Sequence, residues 1–486
     1  VSVLAGGGVA LVASLVVRVL MARALEPHAL GLVLLAIAVV TPVGSIAGLG
    51  TNAAFAQGVA ERRARGDETG CRSLAGRGQL LVLAFGAGAA ALLAALAGPL
   101  ALLLRQPGLD RVLLPLAPVA LGLAAGSAAL GISRGFGDSV GRAVVRDSGG
   151  GLLRVVGVGA ALLAVTPGSL GVATGFAAGS LLAELLFVGY VAWKGWLSSA
   201  AGTVAEPLLP TLRPFAATEV LTQAALWLDV VVLGALAPAA VVGLYGVARG
   251  LTRVLDLARQ ASSHGYLPSA TAVVAVGEGH RLSMLHVSTR RFAFALVWPA
   301  LAVCLLAPAP LLVLLFGEPY APAATALRLL ALASFLPSFF DYLDLVLIAE
   351  RRPGDVLRAG TGGVVTLVLL LAALVPRFGG EGAALALLGS GTVRGALLHH
   401  FAFRSRPFRP FLPAVTGPAL LAVGSLAAGA LLMRLLQPSP FFSLVLAAGA
   451  GGAASLLSLL SFFRGRGPGK PMPLAAGPLD AGSSDL

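Results

Sequence analysis

The amino-acid sequence predicts an all-α polytopic membrane protein with about fourteen transmembrane helices, arranged as two six-helix lobes plus two C-terminal helices. Three observations lead there. Of 486 residues, 57% are hydrophobic and only 11% are charged, with a mean hydropathy of +0.92, whereas a soluble domain carries about a quarter charged residues. Apolar stretches of about twenty residues recur from end to end, each long enough as a helix to cross about 30 Å of hydrocarbon. The basic residues gather in alternate connections, as the positive-inside rule requires. A soluble fold is excluded, because a chain of this length could not cover its surface with so few charges. The net charge of +13 would suggest a nucleic-acid partner in a soluble chain. Here its placement is topological, and no nucleic acid is expected.

The spans are read at residues 4–24, 29–55, 78–103, 113–133, 148–166, 170–193, 214–237, 241–262, 292–316, 323–348, 358–375, 381–400, 412–434 and 441–463. The first connection on the basic side holds Arg62, Arg63, Arg65, Arg72 and Arg77, and the next holds Arg134, Arg142 and Arg146. Later ones carry Lys194 and Arg213, then Arg290 and Arg291, then Arg351 and Arg352, and the last Arg404, Arg406 and Arg409. The opposite side has far fewer, such as Arg105, Arg111 and Arg377. Both termini are therefore expected in the cytoplasm of a prokaryotic (inner) membrane protein. The opening VSVLAGGGVALVASLVV lacks a basic lead and runs into Arg18, so it reads as the first span rather than a cleavable signal. Cys71, in an expected loop, and Cys304, in a span, form no disulfide framework, and no metal spacing occurs.

Three turns recur in register. ALEPHALGL leads to Gly31 and ALAPAAVVGLY leads to Gly243, 212 residues later. Pro107 of LLRQPG stands opposite Pro319 of LLFGEPY, and Gly171 stands opposite Gly382. Two related halves follow, parallel rather than inverted because six spans return the chain to the same face. The expected organisation is an N-terminal lobe over 1–200, a second over 201–410, two additional helices over 411–463 and a disordered cytoplasmic tail over 464–486. Gly195–Pro214 is the expected joint. The polar stretch 261–286 is read as a loop with a short interfacial helix. Gly122/Gly126 and Gly175/Gly179 have the spacing of close helix contacts.

Charges inside spans are costly unless they face a partner or a wet cavity. Arg18, Arg249, Arg253, Arg154 and Arg328 are the candidates for binding an anionic substrate, since a guanidinium stays charged and grips phosphoryl oxygens with two hydrogen bonds. Arg249 and Arg253 share one helix face at i,i+4. Asp229, Glu219 and Glu184 are the candidates for ion coupling. Asp341 and Asp344 read as interhelical pairing residues, and Arg394 as interfacial. The six histidines, among them His28, His286 and His399, read as surface or interfacial. No carboxylate or His cluster marks an enzyme site, so none is expected, and no GxxxxGK loop points to ATP.

The stretch RVLMARALEPHALGLVLLAIAVVTPVGSIAGLGTNAAFAQGVAE resembles the opening of prokaryotic polysaccharide transporters, the lipid-linked oligosaccharide (Wzx-like) flippases of the multidrug/oligosaccharidyl-lipid/polysaccharide exporter superfamily. Leu25, Pro27, Gly31 and Gly48–Gly50 carry the likeness. WLDVVVLGALAPAAVVGLYGVARGL carries it again through Asp229, Gly234, Gly243 and Tyr245, and LLFGEPYAPAATALRLLAL through Gly317 and Tyr320. The polar lead before the first helix is missing, and Glu26 stands where the family often has glycine.

The resemblance implies a MATE-like fold and transport without bond chemistry. A glycan on an undecaprenyl diphosphate-type lipid would enter a central cavity, and alternating access driven by a proton or sodium gradient would carry it across. It implies no resident cofactor, and it implies membrane lipids, a polysaccharide polymerase and glycosyltransferases as partners. Within the same superfamily, a drug exporter would have a more acidic cavity. A peptidoglycan lipid-precursor flippase would show Arg- and Asp-bearing residues in its first segment. A membrane glycosyltransferase or polymerase would need a large outer loop, which the short turns here do not provide.

Overall fold

The computed structural model describes residues 2–164, 168–197, 208–276, 279–340, 342–405 and 412–464. The expected tail after residue 464 and half of the expected joint lie outside these residues, as does Asp341. Among the described residues the chain is all-helical: α1 Ser2–Ala24, α2 Pro27–Ala47, α3 Thr51–Ala64, α4 Glu68–Ala95, α5 Ala97–Leu103, α6 Leu109–Gly135, α7 Ser139–Gly141, α8 Gly150–Ala164 and α9 Ser169–Trp193. There follow α10 Leu208–Leu236, α11 Ala239–Val276, α12 Gly279–Leu306, α13 Pro308–Phe316, α14 Ala324–Phe335, α15 Leu343–Ala349, α16 Pro353–Ser405, α17 Leu412–Leu436 and α18 Pro440–Arg464. Nine helical stretches among the described residues combine the length and apolarity needed to cross a membrane. The fold is thus multi-pass, but fewer stretches meet both conditions than the fourteen read from the sequence.

The shortfall has local causes. The stretch Pro353–Arg404 takes in two expected spans, which join across a kink at Gly379 with φ 52°. The tenth expected span is broken by a 3₁₀ turn over Leu336–Phe340 and by Tyr342, at φ 67°. The fifth begins as a π-helix over Arg142–Gly149. The second is among the nine, although Leu49 and Gly50 take positive φ values and α3 begins as a separate helix there. The stretch read as a loop at 261–286 is instead mostly helix: α11 continues to Val276 and α12 begins at Gly279.

The chain divides into two compact units, Val1–Leu251 with Leu315–Ala326 and Val364–Leu387, and Thr252–Leu314 with Leu327–Gly363 and Leu388–Leu486. In the first, α6 is the central helix and packs on α2, α3, α4 and α9, while α8 lies against α9 and α1. Its buried face runs through Leu113, Leu116, Ala120, Ala124 and Ala128. Small residues there let neighbouring backbones approach where hydrocarbon offers no hydrophobic drive. Gly175 and Gly179 do this against α8, where a Cβ on either would collide with α8 backbone. In the second unit, α12 packs on α17 and α18, and the Trp298 indole donates to Ser425 Oγ at 3.2 Å.

The register of 212 residues has a geometric counterpart inside the first unit. A Cβ on Gly31 would overlap the Ala239 carbonyl, and a Cβ on Gly243 would overlap the Pro27 carbonyl. Pro27 and Ala239 are also 212 apart, so each glycine touches the counterpart of the residue that the other touches. That reciprocity is what a two-fold axis produces. A second exchange repeats it. The Gln106 amide donates to the Ala237 carbonyl at 2.8 Å, and the Tyr320 hydroxyl donates to the Leu25 carbonyl at 2.8 Å. Leu25 and Ala237 again differ by 212. The turn at Gly317–Tyr320 therefore caps the end of α1 as the turn at Gln106 caps the end of α10. Burial, followed by the nearby Glu26 carboxylate, pushes the Tyr320 phenol above its ordinary range, which keeps it a donor.

Valine at Gly31 or Gly243 should cost about 1–3 kcal/mol. The thermal melt of detergent-solubilised protein should fall for both variants and stay unchanged for Gly88→Ala, whose added Cβ meets nothing within 4 Å.

Candidate functional site

Asp229 lies near the end of α10 and is fully buried. A carboxylate there must be met by donors or by a cation. The α10–α11 hairpin supplies both, because Tyr245 and Arg249 stand one turn apart on α11 and face back toward α10. The Tyr245 hydroxyl donates to Asp229 Oδ2 at 2.6 Å. The Arg249 Nε approaches the same oxygen at 3.3 Å. Asp229 Oδ1 has no hydrogen-bond partner among the described residues.

Arg18 reaches the same stretch of α11 from α1. Its Nη1 donates to the Gly246 carbonyl at 2.9 Å. Gly250 leaves room for it, since a Cβ there would crowd the Arg18 guanidinium. Three sequence candidates from distant positions, Arg18, Asp229 and Arg249, thus converge on one turn and a half of α11. In the sequence Tyr245 stands out only through the resemblance. Its i,i+4 spacing to Arg249 was the signal that could have found it.

Glu184 forms a second centre on α9, 3% exposed. Arg146 Nε lies 3.5 Å from Oε2, and Arg154 Nη2 lies 3.9 Å from Oε1. Arg146 also stands over the Phe187 ring at 5.8 Å. The π-helix before α8 carries Arg146, so the irregular turn adds a second cation to the buried acid. Gly122 and Gly126 make the space. A Cβ on Gly126 would overlap the Glu184 carboxylate.

The remaining candidates are placed differently. Glu219 accepts from Gln223 one turn along α10 at 2.6 Å, a local contact. Arg253 is half-buried on α11. Arg328 is exposed, and its Nε donates to the Leu305 carbonyl at the end of α12 at 3.1 Å, a capping contact of the kind a snorkelling arginine makes. Asp344 pairs with Arg394 at 3.2 Å, so Arg394 is an interhelical partner as well as a half-exposed one. Cys71 is buried in α4, not in a loop, and its thiol donates to the Val59 carbonyl at 3.4 Å.

His286 departs most from expectation. Read as surface or interfacial, it is fully buried. Its Nδ1 lies 2.9 Å from the Tyr266 hydroxyl, and its ring stands edge-on to Tyr342 at 6.4 Å. One histidine in a polar stretch gave no signal of this. The stretch is helix rather than loop, and that turns it inward. Among the described residues no group of three or more His, Cys, Asp or Glu side chains is arranged for a metal ion.

A family model described as polysaccharide biosynthesis protein matches residues 1–262. The chain belongs to that family. It is similar to "Probable flippase AglR" of Haloferax volcanii, 28% identical over 254 residues, 49% of this chain and 52% of that one. The matched part is thus about half the length of this curated relative. In fold it is similar to the lipid II flippase MurJ in an inward closed conformation, with a TM-score of 0.73, 15% identity, and coverage of 94% of this chain and 97% of that one. It is also similar to an inward-facing multidrug resistance MATE family transporter of the MOP superfamily, with a TM-score of 0.66, 16% identity, and coverage of 81% and 94%. The fold is therefore that of MOP-superfamily transporters, and none of these likenesses is to an enzyme.

Removing one partner of a buried ion pair costs about 3–5 kcal/mol. Asp229→Ala should lower the melt accordingly, and Asp229→Ala with Arg249→Leu should recover part of the loss in a double-mutant cycle. Gly126→Ala should also lower the melt by displacing Glu184. Gly122→Ala should cost less, because its added Cβ comes no closer than 3.2 Å to a flexible Leu181 methyl.

Proposed function

We propose that the protein is a flippase that moves a lipid-linked oligosaccharide or polysaccharide precursor, on an undecaprenyl diphosphate-type carrier, across the cytoplasmic membrane by alternating access. The observation that carries this reading is the convergence of Arg18, Arg249 and Asp229 on one segment of α11. Two guanidinium groups there suit a diphosphate. A carboxylate that holds one of them gives the site a means of control.

In this reading a proton or sodium ion loads Asp229 through Oδ1. Neutralising the carboxylate removes an attraction of a few kcal/mol, taking about 4 kcal/mol for unit charges 4 Å apart at an effective dielectric of 20. Arg249 is then released toward phosphoryl oxygens. Glu184 with Arg146 and Arg154 forms a second acid–cation switch. Glu219 is a lesser coupling candidate, and Arg253 and Arg328, in the second unit, are lesser substrate candidates. The fourteen-helix, two-lobe architecture with cytoplasmic termini belongs to the same proposal. The reciprocal contacts at the 212-residue register support its repeat. Family membership supports the glycan class, and a polymerase and glycosyltransferases are the expected neighbours in the pathway.

The test is reconstitution in liposomes with a labelled prenyl-diphosphate oligosaccharide, following its arrival in the far leaflet with and without an imposed gradient. Wild type should transport. Arg249→Ala and Arg18→Ala should each slow transport tenfold or more, about 1.4 kcal/mol or more. Asp229→Asn should keep the fold and lose the response to the gradient. Transport unaffected by both arginine variants would remove them from the substrate path. No transport of several such glycans by folded protein would reject the flippase.

A further inference from the structure

We propose that a pocket beside the α3–α4 turn, separate from the buried arginine–aspartate centre, binds the sugar rings of the glycan on the basic side of the first unit. Only the ligand class rests on the flippase reading. The pocket has a volume of about 320 Å³, at the lower end of small-ligand sites and large enough for one or two hexose rings. Among the described residues its walls come from α3, the turn after it, α4 and the start of α10.

The turn that shapes the pocket is rigid. The amide of Asp67 donates to the Arg62 carbonyl at 3.0 Å, and the amide of Gly66 donates to the Arg63 carbonyl at 3.0 Å, the paired bonds of a Schellman motif. Gly66 sits at φ 74°, as the motif requires. Asp67 then caps α4 through its side chain, accepting from the Gly70 amide at 2.8 Å. Gln57, Glu61 and Arg65 are exposed around the pocket, and Arg62 is half-buried beside them.

The floor is aromatic. Phe55 is 1% exposed and is seated on Gly78, where any Cβ would occupy its ring. Phe215, from α10, is half-buried and backs onto Gly50. Gly78 thus seats the Phe55 ring, and Gly50 lets the Phe215 main chain come close, under a polar rim.

The chemistry of the rim selects a neutral polyhydroxyl ligand. Each sugar hydroxyl both donates and accepts. Glu61 accepts, Arg62 and Arg65 donate, and Gln57 does both. The Gln57 amide already donates to Glu61 Oε1 at 2.8 Å, which orients both groups. A bare phosphate would meet the carboxylates of Glu61 and Asp67 along with the arginines, so the balanced rim disfavours it. The apolar face of a sugar ring suits the phenyl floor through its C–H groups. A glycan docked there is held beside the membrane by its head.

The test uses full-length protein in nanodiscs and saturation-transfer NMR. The probes are N-acetylglucosamine, galactose, mannose and rhamnose, with inorganic diphosphate as competitor. At least one sugar should receive saturation. Arg65→Ala and Phe215→Leu should each weaken its binding about fivefold, the worth of roughly one hydrogen bond or contact. Arg72→Ala, which alters only a surface pair with Glu68, should leave it unchanged. Arg65 is exposed, so its variant should melt like wild type even if Phe215→Leu does not. No saturation of any sugar, equal saturation in Arg65→Ala, or displacement by diphosphate would each overturn the proposal. Sugar binding that persists where the liposome assay fails would reject the flippase and keep the pocket. Transport without sugar binding would do the reverse.

Discussion

A carboxylate surrounded by helices in hydrocarbon has no water to solvate it, so protein donors must do so. Much of the first unit is arranged around that constraint. Asp229 is met by a phenol and a guanidinium from the next helix. Glu184 is met by two guanidinium groups, one of them brought in by a π-helical turn. In both centres the acid is more deeply buried than its arginines. A buried pair of this kind gains little net stability over an apolar one. In the proposed mechanism its value lies in being switchable, because a proton or cation on the acid would change what the arginine is attracted to.

Close backbone approach is the second constraint, and glycine meets it. Gly31 and Gly243 let α2 and the start of α11 touch at their main chains. Gly250 admits Arg18, and Gly126 admits Glu184. The glycines that matter are therefore those placed where a charged side chain or a crossing backbone needs the volume of a missing Cβ. Gly7, Gly88 and Gly159 meet nothing within 4 Å, so abundance alone was a poor guide.

Much of the candidate site was legible in the sequence. A charged residue inside an apolar span is visible without a structure, and Arg18, Arg249, Asp229 and Glu184 were found that way. Their partners were less visible. Tyr245 and Arg146 are ordinary residues by sequence, and only their directions make them part of a site. His286 was misread because the polar composition of its stretch suggested a loop, whereas Tyr266 and His286 lie on helices that face each other. Arg328 stands in an apolar run, and its side chain reaches a helix end, as that of a snorkelling arginine does.

By itself the sequence determined the class: an all-helical chain that crosses a membrane several times. Those properties are local or additive, since hydropathy, helix length and charge placement can be summed along the chain. Only the tertiary structure decided which charges meet. Arg18 and Gly246 are 228 residues apart, and Tyr320 and Leu25 are 295 apart. It also decided where helices break, at Gly50, Tyr342 and Gly379, because a positive φ costs little composition and leaves little trace in hydropathy. Packing selects among the faces of a helix that is apolar all round, and no periodicity in the sequence marks the face that turns inward.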